Sequence, residues 1–249
     1  MMDENNIVKS LWIGPFIDDM LVLCIKSFLA AGIEFQMYAY NEIENLPEDV
    51  VVKDANEILD YSFVFKDNVN SYATFSDWFR IKLLYEIGGW WVDSDVLLIK
   101  KFDTENSYVF ATESFSLKES LEIRVCNAVM KMPKKSKIGG NILARIEEKL
   151  NNQAISDIKW TEIGAGYLKE EIVDNCLEEF IVAPETFCPN PWNTFDQVSS
   201  RNDFNIGPET YSVHLWNNMW KWSKKNPLEN LTDGSLLFNA KNTLGEKGL

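Results

Sequence analysis

The sequence predicts an α/β layer fold, a mixed sheet flanked by helices in a single domain, on three observations. Strand-like and helix-like segments alternate over the first 60 residues, a strong helical pattern over 72–87 stops at Gly88-Gly89, and a β-favouring run, Trp90 to Leu98, follows at once. The 249 residues are 46% hydrophobic, enough for one substantial core, and no Pro/Gly/Ser-rich tract or long charge run marks a linker. We expect one domain over residues 1–222 and a turn-rich tail over 223–249.

Each element has a local cause. Ile7 to Ile13 reads as a strand ending at Gly14, and Asp18 to Ala31 has an acidic start, apolar residues at helical spacing and Gly32 as its stop. Glu34 to Tyr40 alternates as a second strand, Val50-Val51-Val52 favours a third, and Asp54 to Leu59 looks helical. Tyr72 to Ile87 is the strongest helix: Phe75, Phe79, Leu83 and Ile87 recur at steps of four, and Gly88 suits the left-handed position after the last turn. Trp90 to Leu98 then reads as one strand. Beyond Lys101 we expect a strand at Tyr108–Thr112, a segment of unassigned type at Ile123–Lys131 and helices at Gly140–Asn151 and Trp160–Asn175, with Gly139-Gly140 and Gly164-Ala165-Gly166 marking tight approaches or turns. Val213 to Trp216 reads as a strand running into a polar loop.

The charge balance, −14 with 24 basic and 38 acidic residues, argues against a broad footprint on nucleic acid. Cys24, Cys126, Cys176 and Cys188 are far apart without a Cys-x-x-Cys pair, so neither a zinc knuckle nor a compact disulfide framework is indicated, and buried thiols in a reducing compartment are expected. The N-terminus lacks the basic start and apolar stretch of a signal peptide, and no run approaches the roughly 20 apolar residues of a membrane span. These features predict a cytoplasmic protein.

The chemistry concentrates in residues 75–95. Asp77 and Arg80, three apart on the predicted helix, must share a face. Asp93 and Asp95 would point to the same side if the strand stays extended, and they place two charges between the apolar runs Trp90-Trp91-Val92 and Val96-Leu97-Leu98-Ile99. Interior carboxylates cost several kcal/mol (~3–5) unless paired, hydrogen-bonded or metal-bound. Such a group suits a metal ion, a diphosphate and a polyhydroxylated substituent, because each needs charged or multidentate partners at fixed geometry. The reading is a sugar-nucleotide enzyme.

Ser76-Asp77-x-x-Arg80, Gly88-Gly89 and Asp93-x-Asp95 together resemble the sugar-binding region of DXD-containing glycosyltransferases of the family 32 type. That group includes bacterial capsular polysaccharide transferases and the yeast initiating α-1,6-mannosyltransferase, with the glucosylating clostridial toxins more distant. Ser10-Leu11-Trp12-Ile13-Gly14 is similar to the family's opening strand, and Val213-His214-Leu215-Trp216-Asn217-x-x-Trp220 to its closing His/Trp segment. Trp91 stands where the family usually has Tyr, and Thr161 to Gly166 is only an echo of its Thr-Gly-Pro segment.

The resemblance implies a GT-A type, Rossmann-like fold and a retaining transfer of a hexose from a nucleotide sugar, UDP favoured over GDP, to a saccharide acceptor in bacterial surface polysaccharide synthesis. Capsule and lipopolysaccharide are the products in view. It also extends to a lipid-linked acceptor and to peripheral association with the inner face of the membrane. Carried over, Asp95 would be the ligand of Mn²⁺ or Mg²⁺, with Asp93 contacting ribose or donor sugar and reaching the metal through water. His214 would be a further ligand, Asp77 and Arg80 would hold the donor sugar, Asn217, Asn218 and Trp220 would line the diphosphate, and Trp12 would stack on the base. Asp93, Asp95 and Arg80 would carry catalysis.

Two other classes share parts of this pattern. A haloacid-dehalogenase-type phosphatase also places Asp-x-Asp after an apolar strand, with the first Asp as nucleophile. A non-catalytic carbohydrate-binding or interaction protein would use exposed aromatics and leave the Asp pair to structure.

Overall fold

The structure, a computed structural model, describes residues 4–117, 120–158, 162–204 and 206–245. In chain order the elements are β1 (Ile7–Trp12), α1 (Asp19–Ala30), β2 (Glu34–Ala39), β3 (Val51–Asp54), α2 (Ala73–Ile87), β4 (Gly89–Val92), β5 (Val96–Leu98), β6 (Val109–Leu117) and β7 (Ser120–Met132). They continue as α3 (Lys137–Asn152), α4 (Tyr167–Asp174), α5 (Pro184–Phe187), α6 (Gln197–Ser200), β8 (Ser212–His214), α7 (Asn217–Ser223) and α8 (Leu236–Gly245). The expected α/β architecture, a mixed sheet flanked by helices, is what forms.

Six strands make the main sheet in the order β3-β2-β1-β4-β7-β6. The first four in that order are parallel, β7 runs antiparallel to β4, and β6 closes the edge antiparallel to β7. Period two divides the tandem tryptophans of β4 between the two faces. Trp90 packs with α1 residues Leu21, Ile25 and Phe28 and with Phe102, whereas Trp91 packs with Phe75 and Phe79 of α2 and Ile138 and Ile142 of α3. Each face of the sheet is thereby covered by helices. A third apolar cluster joins the far side of α1 (Met20, Cys24) to Leu97, Val213, Leu215, Trp220 and Leu237 of α8.

The helix α2 is buried nearly all round, which is why two charges on it matter: Asp77 and Arg80 are buried along with Phe75, Trp78, Phe79, Ile81, Leu83 and Leu84. The step-of-four pattern nevertheless fails at its end, where Ile87 is 43% exposed. Four residues turn the helix about 40° more than a full turn, so three such steps carry the stripe out of the interface. Gly88 ends the helix at φ +81°, with its N–H bonded to Leu84 O. A Cβ on it would lie 2.6 Å from the backbone N of Lys134.

The strand expected over 90–98 is two strands. After β4 the chain turns, with Val96 N–H bonded to Asp93 O at 3.1 Å, and β5 leaves the main sheet to pair antiparallel with β8, Val96 opposite His214. The turn leaves both carboxylates beyond the carboxyl end of β4, where they are spared burial inside the main sheet. Other differences are smaller. Asp54–Leu59 forms a single 3₁₀ turn at Ala55–Glu57, and the polar stretch after β8 is the short helix α7 rather than a loop. Of the helix expected over 160–175, residues 160 and 161 lie outside the described residues, Glu162–Gly166 is a wide turn kinked at Gly164, and α4 follows. The four cysteines are free, three buried and Cys176 exposed. Among the described residues, no helix is long and apolar enough to cross a membrane.

Gly88→Ala should cost about 1–3 kcal/mol in urea unfolding, from a positive φ combined with backbone overlap. Gly207→Ala, whose Cβ would meet nothing nearer than Thr210 Oγ1 at 4.0 Å, should stay within about 1 kcal/mol of the parent. Equal costs for the two would mean that the α2–β4 junction has room to relax.

Candidate active site

The site lies at the carboxyl ends of the parallel strands β1 and β4, where α/β sheets place their ligand crevices. Asp93 follows β4 directly, its N–H extending the ladder to Ala128 O of β7 at 2.7 Å. Asp95 sits at the start of the β5–β8 ribbon, where its carbonyl accepts the Leu215 N–H at 2.9 Å. His214, the last residue of β8, brings Nε2 to 3.1 Å from Asp95 Oδ1, and the Asn217 N–H donates to Asp95 Oδ2 at 2.8 Å. Ligand atoms of Asp93, Asp95 and His214 all lie within 4.8 Å of one another.

Arg80 reaches this group from α2. Its guanidinium is 3.0 Å from Asp93 Oδ1 and 3.4 Å from Asp77 Oδ1, and it donates to Asn127 O at 2.6 Å and to Ser76 O and Oγ. It also lies 5.0 Å from the centre of the Trp91 ring, whose Nε1–H donates to Asp93 Oδ1 at 2.8 Å. Trp91, standing where Tyr is usual in the resembling family, therefore fixes Asp93 through a ring N–H. The second oxygen donor to be fixed is Asp77, held by the Asn127 amide at 2.7 Å. Gly164 passes so close that a Cβ there would lie 2.3 Å from Asp77 Oδ2 and 2.7 Å from Asn127 Nδ2.

The electrostatics separate the carboxylates. Burial raises the Asp77 carboxyl to about 6, against the lowering pulls of Arg80 and Asn127. Burial also raises Asp93; Arg80 pulls it down, the charge of Asp95 pushes it up and His214 pulls it down again, and burial leaves it above its ordinary value. Burial pushes Asp95 the same way but is outweighed by His214 and the Asn217 N–H, so Asp95 ends below its ordinary value. His214 shows the reverse balance: burial lowers it, and Asp95 holds it well above the ordinary imidazole value. Of the pair, Asp95 is the one kept ionised.

Two cavities meet at the Asp pair. One, of about 660 Å³, is lined by Asp77, Glu113, Arg124, Asn127, Lys169 and Trp192 besides the shared residues. The other, of about 420 Å³, is lined by Trp12, Lys66, Tyr72, Ser94 and Lys221. Arg80, Asp93, Asp95, Asn217, Asn218 and Trp222 border both.

The structure thus brings Trp12, Asp77, Arg80, Asp93, Asp95, His214 and Asn217 together. Trp220 is the exception. It is 3% exposed, packs edge-on against Phe195 and donates its Nε1–H to Leu215 O, on the core side of α7. Two residues on, the helix turns Trp222 toward the cavities, and Trp222 is the aromatic that lines them. Sequence reasoning missed Asn127, Glu113 and Arg124, which lie on β6 and β7 where the pattern was read only coarsely. Of the two readings of Gly164-Ala165-Gly166, a tight approach or a turn, Gly164 makes the approach, to Asp77, within a kinked turn; Thr161 of the same segment lies outside the described residues.

The family of capsular polysaccharide synthesis proteins matches residues 57–159, the segment that runs from before α2 through the Asp pair to α3 and carries most of the site. Comparison with curated proteins returned no match. Among solved structures, the chain is similar to PaToxG glycosyltransferase at 14% identity over 70% of each chain, with a TM-score of 0.49. It is similar to the apo glycosyltransferase GlyE of Streptococcus pneumoniae at 11% identity over 95% of this chain and 63% of that one, TM-score 0.45. A structure described only as a transferase covers 73% of this chain and 91% of its own at 11% identity, TM-score 0.45. Likenesses this shallow carry no argument about chemistry.

Asp77 gives a pH signature. Its value of about 6, above an ordinary 3.8, means the native state holds this proton more tightly than the unfolded chain does. Its contribution to stability is full below the unfolded value and is lost as pH rises through the native one, by roughly 3 kcal/mol at most. Unfolding curves for wild type and Asp77→Asn across pH 4–7 should therefore converge or cross as this component disappears from the wild type; a constant difference would show Asp77 ionised throughout.

Proposed function

We propose that this chain is a GT-A type, metal-dependent retaining glycosyltransferase that moves a hexose from a nucleotide sugar, UDP-linked by preference, to a saccharide acceptor in bacterial surface polysaccharide synthesis. The observation that carries the reading is the Asp93–Asp95–His214 group set between two cavities and backed by the buried Asp77–Arg80 pair. The similarity of residues 57–159 to capsular polysaccharide synthesis proteins supports it.

The donor set fits a divalent cation. Two carboxylates and an imidazole converge, one carboxylate held ionised, a combination suited to Mn²⁺ or Mg²⁺. Asp95 and His214 would hold the ion, with Asp93 beside it. Such an ion supplies neutralisation of the charge that builds on a departing nucleoside diphosphate.

The remaining work falls to the protein. Trp12 flanks the smaller cavity and offers a ring face to the base, with Lys66 and Lys221 nearby for phosphate charge. On the other side Asp77 accepts hydrogen bonds from sugar hydroxyls, and Arg80 holds Asp77 and Asp93 at fixed separation so that the sugar meets a preformed surface. The wall of Asn127, Glu113, Lys169 and Trp192 leaves room for an acceptor on the same side as the sugar. An acceptor hydroxyl entering there would approach the face from which the diphosphate leaves, as a retaining transfer requires. A lipid-linked acceptor, with the enzyme at the inner face of the membrane, is part of this proposal.

Thermal unfolding with UDP and with GDP, each with and without Mn²⁺, tests the donor site. Ligand at about 100 times its dissociation constant should stabilise by roughly 2.7 kcal/mol, a rise of several degrees, only when metal is present. No shift with either nucleotide would sink the donor-site reading and favour a metal-free glycan-binding protein. In a donor-turnover assay, Asp95→Asn should lose about 10²-fold or more, and near wild-type turnover with undiminished metal dependence would remove Asp95 from the site.

A further inference from the structure

Behind the Asp pair, on the other side of the same imidazole, lies a second group of ligand atoms. Cys126 of β7, Cys188 just after α5 and His214 of β8 are buried, at 6%, 0% and 7% exposure, and one ligand atom from each lies within 4.8 Å of the others. His214 Nε2 faces Asp95, so Nδ1 is the nitrogen left for this side; it is buried and has no hydrogen-bond partner of acceptable geometry. The three groups interact as a unit: the Cys126 thiol bears on the His214 imidazole and is itself raised first by Cys188, so a buried nitrogen and two buried sulfurs face one another with no strong hydrogen bond among them.

We propose that Cys126, Cys188 and His214 Nδ1 form a binding site for a soft d¹⁰ cation, with Zn²⁺ the natural occupant, distinct from the hard-cation group of Asp93 and Asp95. Four features of the geometry support it. Tetrahedral zinc holds sulfur at about 2.3 Å and nitrogen at about 2.0 Å, which sets ligand atoms roughly 3.5–3.8 Å apart, so atoms that lie within 4.8 Å of one another need to close by about 1.3 Å at most. Two thiolates, a neutral imidazole and Zn²⁺ sum to zero charge, the balance a buried position favours. As the metal enters, each thiol releases a proton and stays as thiolate, and the charged imidazole releases the one on Nδ1 while keeping Nε2–H toward Asp95.

The surroundings match as well. The Ala128 N–H points at Cys126 Sγ at 3.5 Å, and Asp95 accepts from Nε2 at the far side of the ring, the carboxylate–histidine pairing that orients metal-bound imidazoles. Cys126 and His214 also line the 660 Å³ cavity, which gives the ion a route in and leaves its fourth position to water. One consequence concerns the neighbouring site: a cation on Nδ1 commits Nε2–H as donor to Asp95 and withdraws His214 from the Asp pair. The two sites share one imidazole: with Nδ1 taken, the hard cation of the donor site would rest on Asp95 and Asp93 without His214, and the soft-cation site itself needs no nucleotide.

Co²⁺ titration of the full chain, reduced with a phosphine, tests it directly. Thiolate ligation should give a sulfur-to-cobalt charge-transfer band in the near ultraviolet at one equivalent, displaced stoichiometrically by Zn²⁺. Cys126→Ser and Cys188→Ser should each abolish the band, whereas Asp95→Asn and the exposed-thiol variant Cys176→Ser should keep it. Circular dichroism checks that the serine variants fold, and if they do not, the wild type decides alone. A saturated wild-type protein without the band, or a band that survives both serine substitutions, overturns the site; loss of nucleotide binding with the band intact would overturn only the donor reading.

Discussion

The buried guanidinium of Arg80 is the interaction on which the rest of the site depends. It sits on a helix that is otherwise apolar around most of its surface, and an unpaired charge there would cost several kcal/mol (~3–5). Its contacts come from three elements: Ser76 on its own helix, Asp93 beyond β4 and Asn127 on β7, with Trp91 stacked beside it. Because those contacts satisfy the charge only when all three elements are in register, the same group that would be a liability in the core specifies how α2 meets the sheet. Asp77 shares that arrangement and inherits its precision from Asn127 and from the absence of a side chain at Gly164.

The Asp pair is divided between two β systems. Asp93 belongs to the end of the six-stranded sheet and Asp95 to the β5–β8 ribbon, with one turn between them. This division explains the opposite electrostatic character of two carboxylates only two residues apart. Burial pushes both up; for Asp95 it is outweighed by His214 and the Asn217 N–H, and for Asp93 the pull of Arg80 does not outweigh it. Neighbouring acids set to different protonation tendencies can take different roles, one as a fixed anion for a cation and the other as a hydrogen-bonding group. The cavities on either side are shaped by the same division, since the ribbon and α7 form one wall and the sheet with α2 the other.

Much of this was legible in the sequence where local rules act. The early strands and α1 and the helix α2 with its glycine stop followed from periodicity and capping, whereas the grouping of Asp77, Arg80, Asp93, Asp95 and His214 at one site was what the family resemblance implied. What escaped depended on tertiary pairing. The break between β4 and β5 is decided by which strand β5 pairs with, and its partner lies more than a hundred residues away. Trp220 and Trp222 are both on α7, and only the packing of that helix against Phe195 says which ring faces the cavities. Asn127, Glu113 and Arg124 sit in strands whose pattern is mixed, because one side meets the core and the other a polar cleft.

The separation of Asp95 and His214 by 119 positions has a consequence for how the molecule is made. The parallel part of the sheet, α2 and the Asp pair all precede residue 100 and can be assembled from chain already synthesised. The imidazole arrives only after β6, β7 and the helices beyond them have emerged, so for much of translation the two acids stand at the end of a sheet with Arg80, paired to Asp93, but without His214. Closing the ribbon is therefore a late step, and it is the step that converts a folded sheet into a competent site.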